Sequence, residues 1–109
     1  MALPTRSITQ TMFGADGNEL SDYISIAKLS NDETDTANKH VRVNDTPPMQ
    51  FTANASGVAT LLLPDNIDIS SYTISSYPAG TTEFIETNKI YQAAIRVAGS
   101  DSDLVDILI

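Results

Sequence analysis

The sequence contains no cysteine and no tryptophan, and its single histidine is His40, in a chain of 109 residues. Without cysteine the chain has no disulfide, no thiolate metal site and no cysteine nucleophile. A chain of this length buries enough surface to fold without a disulfide or a metal. The length fits one domain and we see no interdomain linker, so we expect a single domain over residues 1–109.

Basic residues are also few, six against fourteen acidic residues, which gives a formal net charge of -8. Nucleic-acid binding depends on Lys and Arg that neutralise phosphates, so we expect no nucleic-acid partner. Anionic membranes would be repelled for the same reason, and no apolar run approaches the roughly 20 residues of a membrane-spanning helix. Residues 1–6 lack the apolar region of a signal peptide, so we expect a soluble protein without an export leader.

Strand patterns recur about every 8–12 residues, separated by turns rich in Gly, Pro, Asn and Asp. They predict strands at Ser7–Met12, Tyr23–Leu29, Val41–Val43, Met49–Ala53, Gly57–Leu63, Tyr72–Ser76 and Ile90–Val97. The polar composition of Ser30–Lys39 predicts a loop, and the apolar run Leu61–Leu63 predicts a strand covered on both faces. About seven to nine short strands indicate an all-β fold, a Greek-key sandwich of the Ig-like or transthyretin-like kind, with a small barrel as the alternative.

The C-terminal segment 104–109 is strongly apolar and fits two patterns, because some of its residues have helical spacing and others have strand spacing. Six residues are too few for a stable isolated helix, so the segment must dock on something. It either adds an edge strand to its own sheet or packs on a neighbouring subunit. We predict that residues 1–6 and 104–109 are docking arms, with these assembly residues: Leu104, Val105, Ile107, Leu108 and Ile109.

Catalytic motifs are not found in the sequence. A histidine-dependent site would have to use His40 together with a serine and an acid, and we interpret His40 as an exposed residue at the edge of a loop. No serine lies in a G-x-S-x-G or S-x-x-K motif. The acidic residues cluster in predicted loops, where solvated carboxylates improve solubility. We expect no catalytic residues and no enzyme activity.

Calcium is the metal whose oxygen ligands the sequence supplies best, in Asn31–Asp35 or Asp101–Asp103. Neither segment has the spacing of a D-x-[DN]-x-[DN]-G loop, and there is no glycine-rich phosphate loop. We therefore expect no metal and no cofactor. Tyr77, beside Pro78, is the best candidate for an exposed sugar-binding ring, although packing of the turn is the stronger interpretation.

Three turn-and-strand segments occur in a recognisable order. Gly14–Leu20 precedes the strand Tyr23–Leu29, Thr52–Leu61 has a hairpin pattern, and Ser71–Ile74 is followed by Pro78–Gly80. These segments resemble the D-x-x-G-x-x-L, T-D-x-x-G and Y-x-V … P-x-G motifs of transthyretin-like, carboxypeptidase-regulatory-like domains. The resemblance implies a seven-stranded Greek-key sandwich used mainly for presentation and adhesion.

The C-terminal segment extends this resemblance. Ile95–Ser100 followed by Leu104–Leu108 is similar to the tail of small structural proteins of tailed bacteriophages. The resemblance implies a virion structural protein, most specifically a head decoration or cement protein that binds the capsid surface and stabilises it. It implies that the partners are other virion proteins, either the major capsid protein or tail proteins. It also implies a homo-oligomer, with a trimer favoured, located in the virion after synthesis in the host bacterial cytoplasm.

Two alternatives stay open at this point. The first is a tail-fibre, tail-tip, baseplate or neck component of the same virion class. The second, from another class, is a carbohydrate- or peptide-binding adhesion module, which would need an aromatic or recessed binding patch.

Overall fold

The computed structural model describes residues 2–44 and 47–109, which form nine β-strands and two short 3₁₀ turns. The strands are β1 (Thr5–Thr11), β2 (Ile24–Leu29), β3 (Glu33–Asp35), β4 (His40–Arg42), β5 (Met49–Thr52), β6 (Val58–Pro64), β7 (Tyr72–Tyr77), β8 (Tyr91–Ile95) and β9 (Ser102–Asp103). The 3₁₀ turns are Glu86–Asn88 and Leu104–Asp106. The prediction of an all-β fold with seven to nine short strands is confirmed.

Two sheets form the sandwich. One has the strand order β6–β1–β9 and the other has the order β5–β2–β7–β8, while β3 and β4 form a separate two-stranded hairpin. The pairs within the four-stranded sheet are antiparallel, and β9 runs parallel to β1. The core between the sheets is one cluster that includes Ile8, Ala59, Leu61, Leu63, Ala27, Leu29, Tyr72, Ile74 and Ile95.

Inward and outward side chains alternate along β6, an edge strand of the three-stranded sheet. In β6, Ala59, Leu61 and Leu63 are fully buried, whereas Leu62 between them is 48% exposed. The prediction that the Leu61–Leu63 run is covered on both faces is therefore wrong, because nothing in the described residues covers the outer face of this sheet at Leu62. Strand alternation requires only every second residue to be buried.

The segment Ser30–Lys39 is not a simple loop, which corrects the prediction from its composition. It contains β3, whose residues Glu33–Asp35 pair with His40–Arg42 of β4. The hairpin inverts the usual burial pattern, since Glu33 is buried while Val41 is 61% exposed. Its inward residues are charged, and composition alone does not reveal that they find partners.

The C-terminal segment docks on its own domain and links the two sheets. Strand β9 pairs with Ile8 and Thr9 of β1 in one sheet. After the 3₁₀ turn the chain continues antiparallel to the edge strand β8 of the other sheet: the Arg96 amide donates to the Ile107 carbonyl (3.2 Å), and the Ile109 amide donates to the Ala94 carbonyl (3.0 Å). At the other end, residues 2–4 are exposed and precede β1, and Met1 lies outside the described residues.

Candidate functional site

The five predicted assembly residues divide into anchoring and outward-facing groups. Leu104 is 2% exposed, and Ile107 packs partly buried against the core. Val105, Leu108 and Ile109 are 69%, 48% and 76% exposed. The segment therefore adds an edge strand to its own sheet, which is one of the two expected arrangements. The same segment leaves three large apolar side chains in contact with solvent within five residues.

A groove of about 460 Å³ lies beside Val105, between β1 and β8. It opens there because β9 pairs with only two residues of β1, Ile8 and Thr9, so that the edge of β1 beyond Thr9 is not covered by β9. The lining side chains come from both sheets and from the C-terminal segment: Thr9, Gln10, Thr11, Met12, Tyr91, Asp103, Leu104 and Val105. This groove extends the apolar surface of the C-terminal segment.

A buried polar network joins the two sheets at the wall of this groove. Gln10 of β1 donates from Nε2 to the Ser76 hydroxyl (3.0 Å) and accepts from the Ser25 hydroxyl at Oε1 (2.6 Å). The hydroxyls of Ser25 and Ser76 are 2.8 Å apart, and all three residues are at most 2% exposed. Among the described residues, no titratable group is hydrogen-bonded to these side chains, and the network links the two sheets.

A second groove, of about 500 Å³, lies on the outer face of the four-stranded sheet. Its lining side chains are Ile26, Lys28, Pro48, Gln50, Thr73, Ser75, Tyr77 and Phe84. The predicted aromatic residue Tyr77 is only 7% exposed, because its ring packs edge-to-face on Phe84 with centroids 5.2 Å apart. Phe84, which the sequence analysis did not single out, is 37% exposed and is the more accessible ring. Phe84 lies outside the strands, so no strand pattern in the sequence marked it.

A charged cluster lies where the β3–β4 hairpin meets the sandwich, around a cleft of about 220 Å³. Arg6 makes two hydrogen bonds of 3.1 Å to the Asp65 carboxylate, and Asp65 also accepts from the Gly99 amide. The hydrogen bonds from Arg6 hold the pKa of Asp65 below its usual range. Burial raises the pKa of Tyr72, whose hydroxyl donates to the Pro64 carbonyl (2.6 Å). The described charges in this cluster are paired, which suits a structural role.

His40 lies at the edge of this cleft. Its Nε2 is 3.7 Å from the Asp35 carboxylate, and 32% of its side chain is exposed. Asp35 also accepts hydrogen bonds from Asn38, which are the main reason why its pKa is lowered. Among the described residues, no hydrogen bond joins His40 to a serine, so the structure does not assemble the His–Ser–acid arrangement that a hydrolase would need.

Carboxylates of the acidic loops accept hydrogen bonds from backbone amides in other parts of the chain. Asp101 accepts a hydrogen bond from the Ser7 amide (2.9 Å), and Asp32 accepts one from the Asn44 amide (2.8 Å). Within residues 2–44 and 47–109, no three His, Cys, Asp or Glu side chains come together as a metal site. The same part of the chain has no helix long and apolar enough to cross a membrane.

Comparisons with protein-family models, with curated proteins and with solved structures gave no match to this chain. The resemblance to transthyretin-like domains and to bacteriophage structural proteins therefore stays a prediction from the sequence motifs.

Proposed function

We propose that the chain is a non-enzymatic structural protein of a tailed-bacteriophage virion, and specifically a head decoration protein that binds and stabilises the capsid surface. Its partners would be the major capsid protein and further copies of itself, in a trimer. It would need neither cofactor, nucleic acid nor membrane, and would reach the virion after synthesis in the bacterial cytoplasm. The resemblance of the sequence motifs is the reason for proposing this class of protein. The exposed apolar side chains of the C-terminal segment support a role in assembly.

The observation that carries this proposal is the exposure of Val105, Leu108 and Ile109 on a segment that is itself held in place. Leu104 anchors the segment in the core, and backbone hydrogen bonds to Ala94 and Arg96 fix its end. Burying apolar surface yields roughly 25 cal/mol for each Å² removed from water. A fixed segment that presents apolar side chains loses little further entropy on docking, so it is well suited to an assembly interface.

The chemistry of the described polar residues is consistent with a role that does not involve catalysis. Among the described residues, the serines of the core network have no base, His40 has no serine partner, and Arg6 and Arg42 are engaged with carboxylates. A tail-tip, baseplate or neck subunit would use the same apolar surface, so the choice between head and tail depends on which virion proteins bind it.

The test compares wild-type protein with the double variant Leu108→Ser/Ile109→Ser. Deleting the whole segment after Gly99 would be uninformative, because it removes Leu104 from the core and β9 from β1. Leu62→Ser is the matched control, since Leu62 is as exposed as Leu108 but lies on β6. Light scattering gives the oligomeric state, and co-sedimentation with heads and with tails of the phage that encodes the chain gives the partner.

We expect a wild-type trimer that sediments with heads, a Leu62→Ser variant that behaves the same way, and a monomeric double variant that no longer sediments. Thermal denaturation should show that all three proteins are folded. Sedimentation with tails alone would move the assignment to the tail. A monomer that binds neither particle would overturn the proposal.

A further inference from the structure

The outer face of the four-stranded sheet carries a row of side chains that the virion proposal does not use. Strand alternation places Ile26 and Lys28 of β2 outward, because Ser25, Ala27 and Leu29 face the core. In the ladder, Ile26 lies opposite Gln50 of β5 and Ser75 of β7. Lys28 lies opposite Thr73. These residues form the floor of the groove of about 500 Å³, a volume in the range of small-ligand sites.

The polar side chains of this groove have unused hydrogen-bonding capacity. Within residues 2–44 and 47–109, the side chains of Lys28, Gln50, Thr73 and Ser75 make no hydrogen bond or ion pair. Together they offer ammonium and amide donors, an amide carbonyl acceptor, and two hydroxyls that can do either. In contrast, Ser76, the next residue along β7, is fully engaged in the core.

The apolar part of the groove lies beside this polar row. Ile26 is half-buried at its centre, and Phe84 covers its end, held edge-to-face on Tyr77 at an interplanar angle of 72°. A surface that combines an aromatic ring with a row of free donors and acceptors matches a sugar, which has apolar C–H faces and hydroxyl edges. A rigid sheet also holds these groups in position before a ligand arrives.

Charge and backbone geometry narrow the ligand class. Among the described residues that line the groove, Lys28 is the one charged side chain, and the chain as a whole carries a net charge of -8, which repels polyanions. A peptide that binds by strand addition pairs its backbone with a free strand edge. The groove lies on the face of the sheet, and its two central strands, β2 and β7, are each paired on both sides. We propose that this groove binds a neutral oligosaccharide through Lys28, Gln50, Thr73, Ser75 and Phe84.

The test is an NMR titration of the ¹⁵N-labelled full chain. The probes are cellohexaose, maltohexaose and mannohexaose, with hexagalacturonate as an acidic comparator and an extended uncharged peptide as a second comparator. We expect at least one neutral hexasaccharide to shift the side-chain amide of Gln50 and the backbone amides of Thr73 and Ser75 in a saturable way. Neither comparator should do so.

Variants identify the groups that bind. Ser75→Ala and Gln50→Ala should each weaken the affinity by about 3- to 10-fold, as the loss of one hydrogen bond predicts. Phe84→Leu keeps an apolar contact with Tyr77 but removes the exposed ring, and it should weaken binding to a similar extent. Thr60→Ala is the matched control, because Thr60 is an exposed residue of β6 in the other sheet.

Three results would overturn this proposal: no response to any neutral hexasaccharide at millimolar concentration, affinity that the groove variants leave unchanged, or a preference for the acidic saccharide or the peptide. The proposal does not depend on the virion assignment. Failure of capsid binding leaves it standing, and failure of sugar binding leaves the capsid proposal standing.

Discussion

Glu33 and Arg42 face each other across the β3–β4 hairpin and form an ion pair of 2.6 Å whose carboxylate side chain is only 1% exposed. The second oxygen of Glu33 accepts a hydrogen bond from the Ile67 amide (2.7 Å). Arg42 also donates to the Asp65 carbonyl (2.9 Å) and to the Tyr72 hydroxyl (2.5 Å). Because the contacts with Ile67, Asp65 and Tyr72 lead from the hairpin to the sandwich, this pair helps to attach β3 and β4 to the domain.

Arg42→Ala should destabilise the fold by about 3–5 kcal/mol, because it leaves the buried Glu33 carboxylate without its counter-charge. Urea denaturation measures the change. Glu33→Met/Arg42→Met should recover most of the lost stability, since it removes both charges. Arg6→Ala is the control: its ion pair with Asp65 is more than one-third exposed, so its effect should be much smaller. Equal effects of the two single variants would contradict this account.

The network of Gln10, Ser25 and Ser76 should show strong coupling between its members. Gln10→Leu alone leaves two buried serine hydroxyls with fewer partners and should cost about 1–3 kcal/mol. Adding Ser25→Ala and Ser76→Ala removes those hydroxyls, so the triple variant should lose less than the sum of the single changes. Urea denaturation of the single and combined variants measures the coupling. Strict additivity would mean that the three residues act independently.

Gly57 should tolerate no side chain. Its φ of +79° lies in the left-handed region, and a Cβ atom there would come within 2.8 Å of the Met12 carbonyl oxygen. Gly57→Ala should therefore cost more than the roughly 1–2 kcal/mol expected for the backbone conformation alone. Gly17→Ala is the matched control, because Gly17 has a φ of +83° with no atom within 4 Å of such a Cβ. The two variants should differ in melting temperature, with Gly57→Ala the lower; similar values would exclude the clash.

Tyr23 should make the fold sensitive to alkaline pH. Its hydroxyl donates to the Gln10 carbonyl (2.8 Å), and burial raises its pKa from 10.0 to about 12. Between these values the unfolded chain releases the phenolic proton while the folded chain keeps it, so stability present below pH 10 is lost as the pH rises towards 12. Denaturation of Tyr23→Phe across this range should show a shallower loss. An unchanged slope would assign the alkaline sensitivity to other groups, such as Tyr72.

Local patterns identified most of the sandwich. Alternation marked β1, β7 and β8, and Tyr91, Ala93, Ile95 and Val97 share one side as predicted, with Ile95 and Val97 buried. The hairpin predicted around Asn54–Gly57 is wrong, because β5 pairs with β2 while β6 pairs with β1 in the other sheet. The turn itself follows from its Asn-x-x-Gly composition, since the Asn54 side chain accepts hydrogen bonds from the amides of Ser56 and Val58. These features depend on neighbours close in sequence, which is why the sequence reveals them.

Local sequence patterns did not predict features that depend on contacts between residues far apart in the chain. The alternating charges of β3 and β4 look like a solvated loop until Ile67, Asp65 and Tyr72 are placed beside them. The groove of the four-stranded sheet unites residues of β2, β5 and β7 with Phe84, and only strand order brings them together.

The sequence by itself determined that this protein is an all-β domain with a strongly acidic character and an apolar C-terminal segment that must dock. Strand periodicity, charge and turn chemistry are local properties, so they can be read from order and composition. Only the tertiary structure decided that Leu104 enters the core while Leu108 and Ile109 remain exposed on the edge of β8. The physical reason is that a six-residue segment with five apolar side chains fits several docking geometries, and the choice depends on which edge hydrogen bonds the folded sheets leave available.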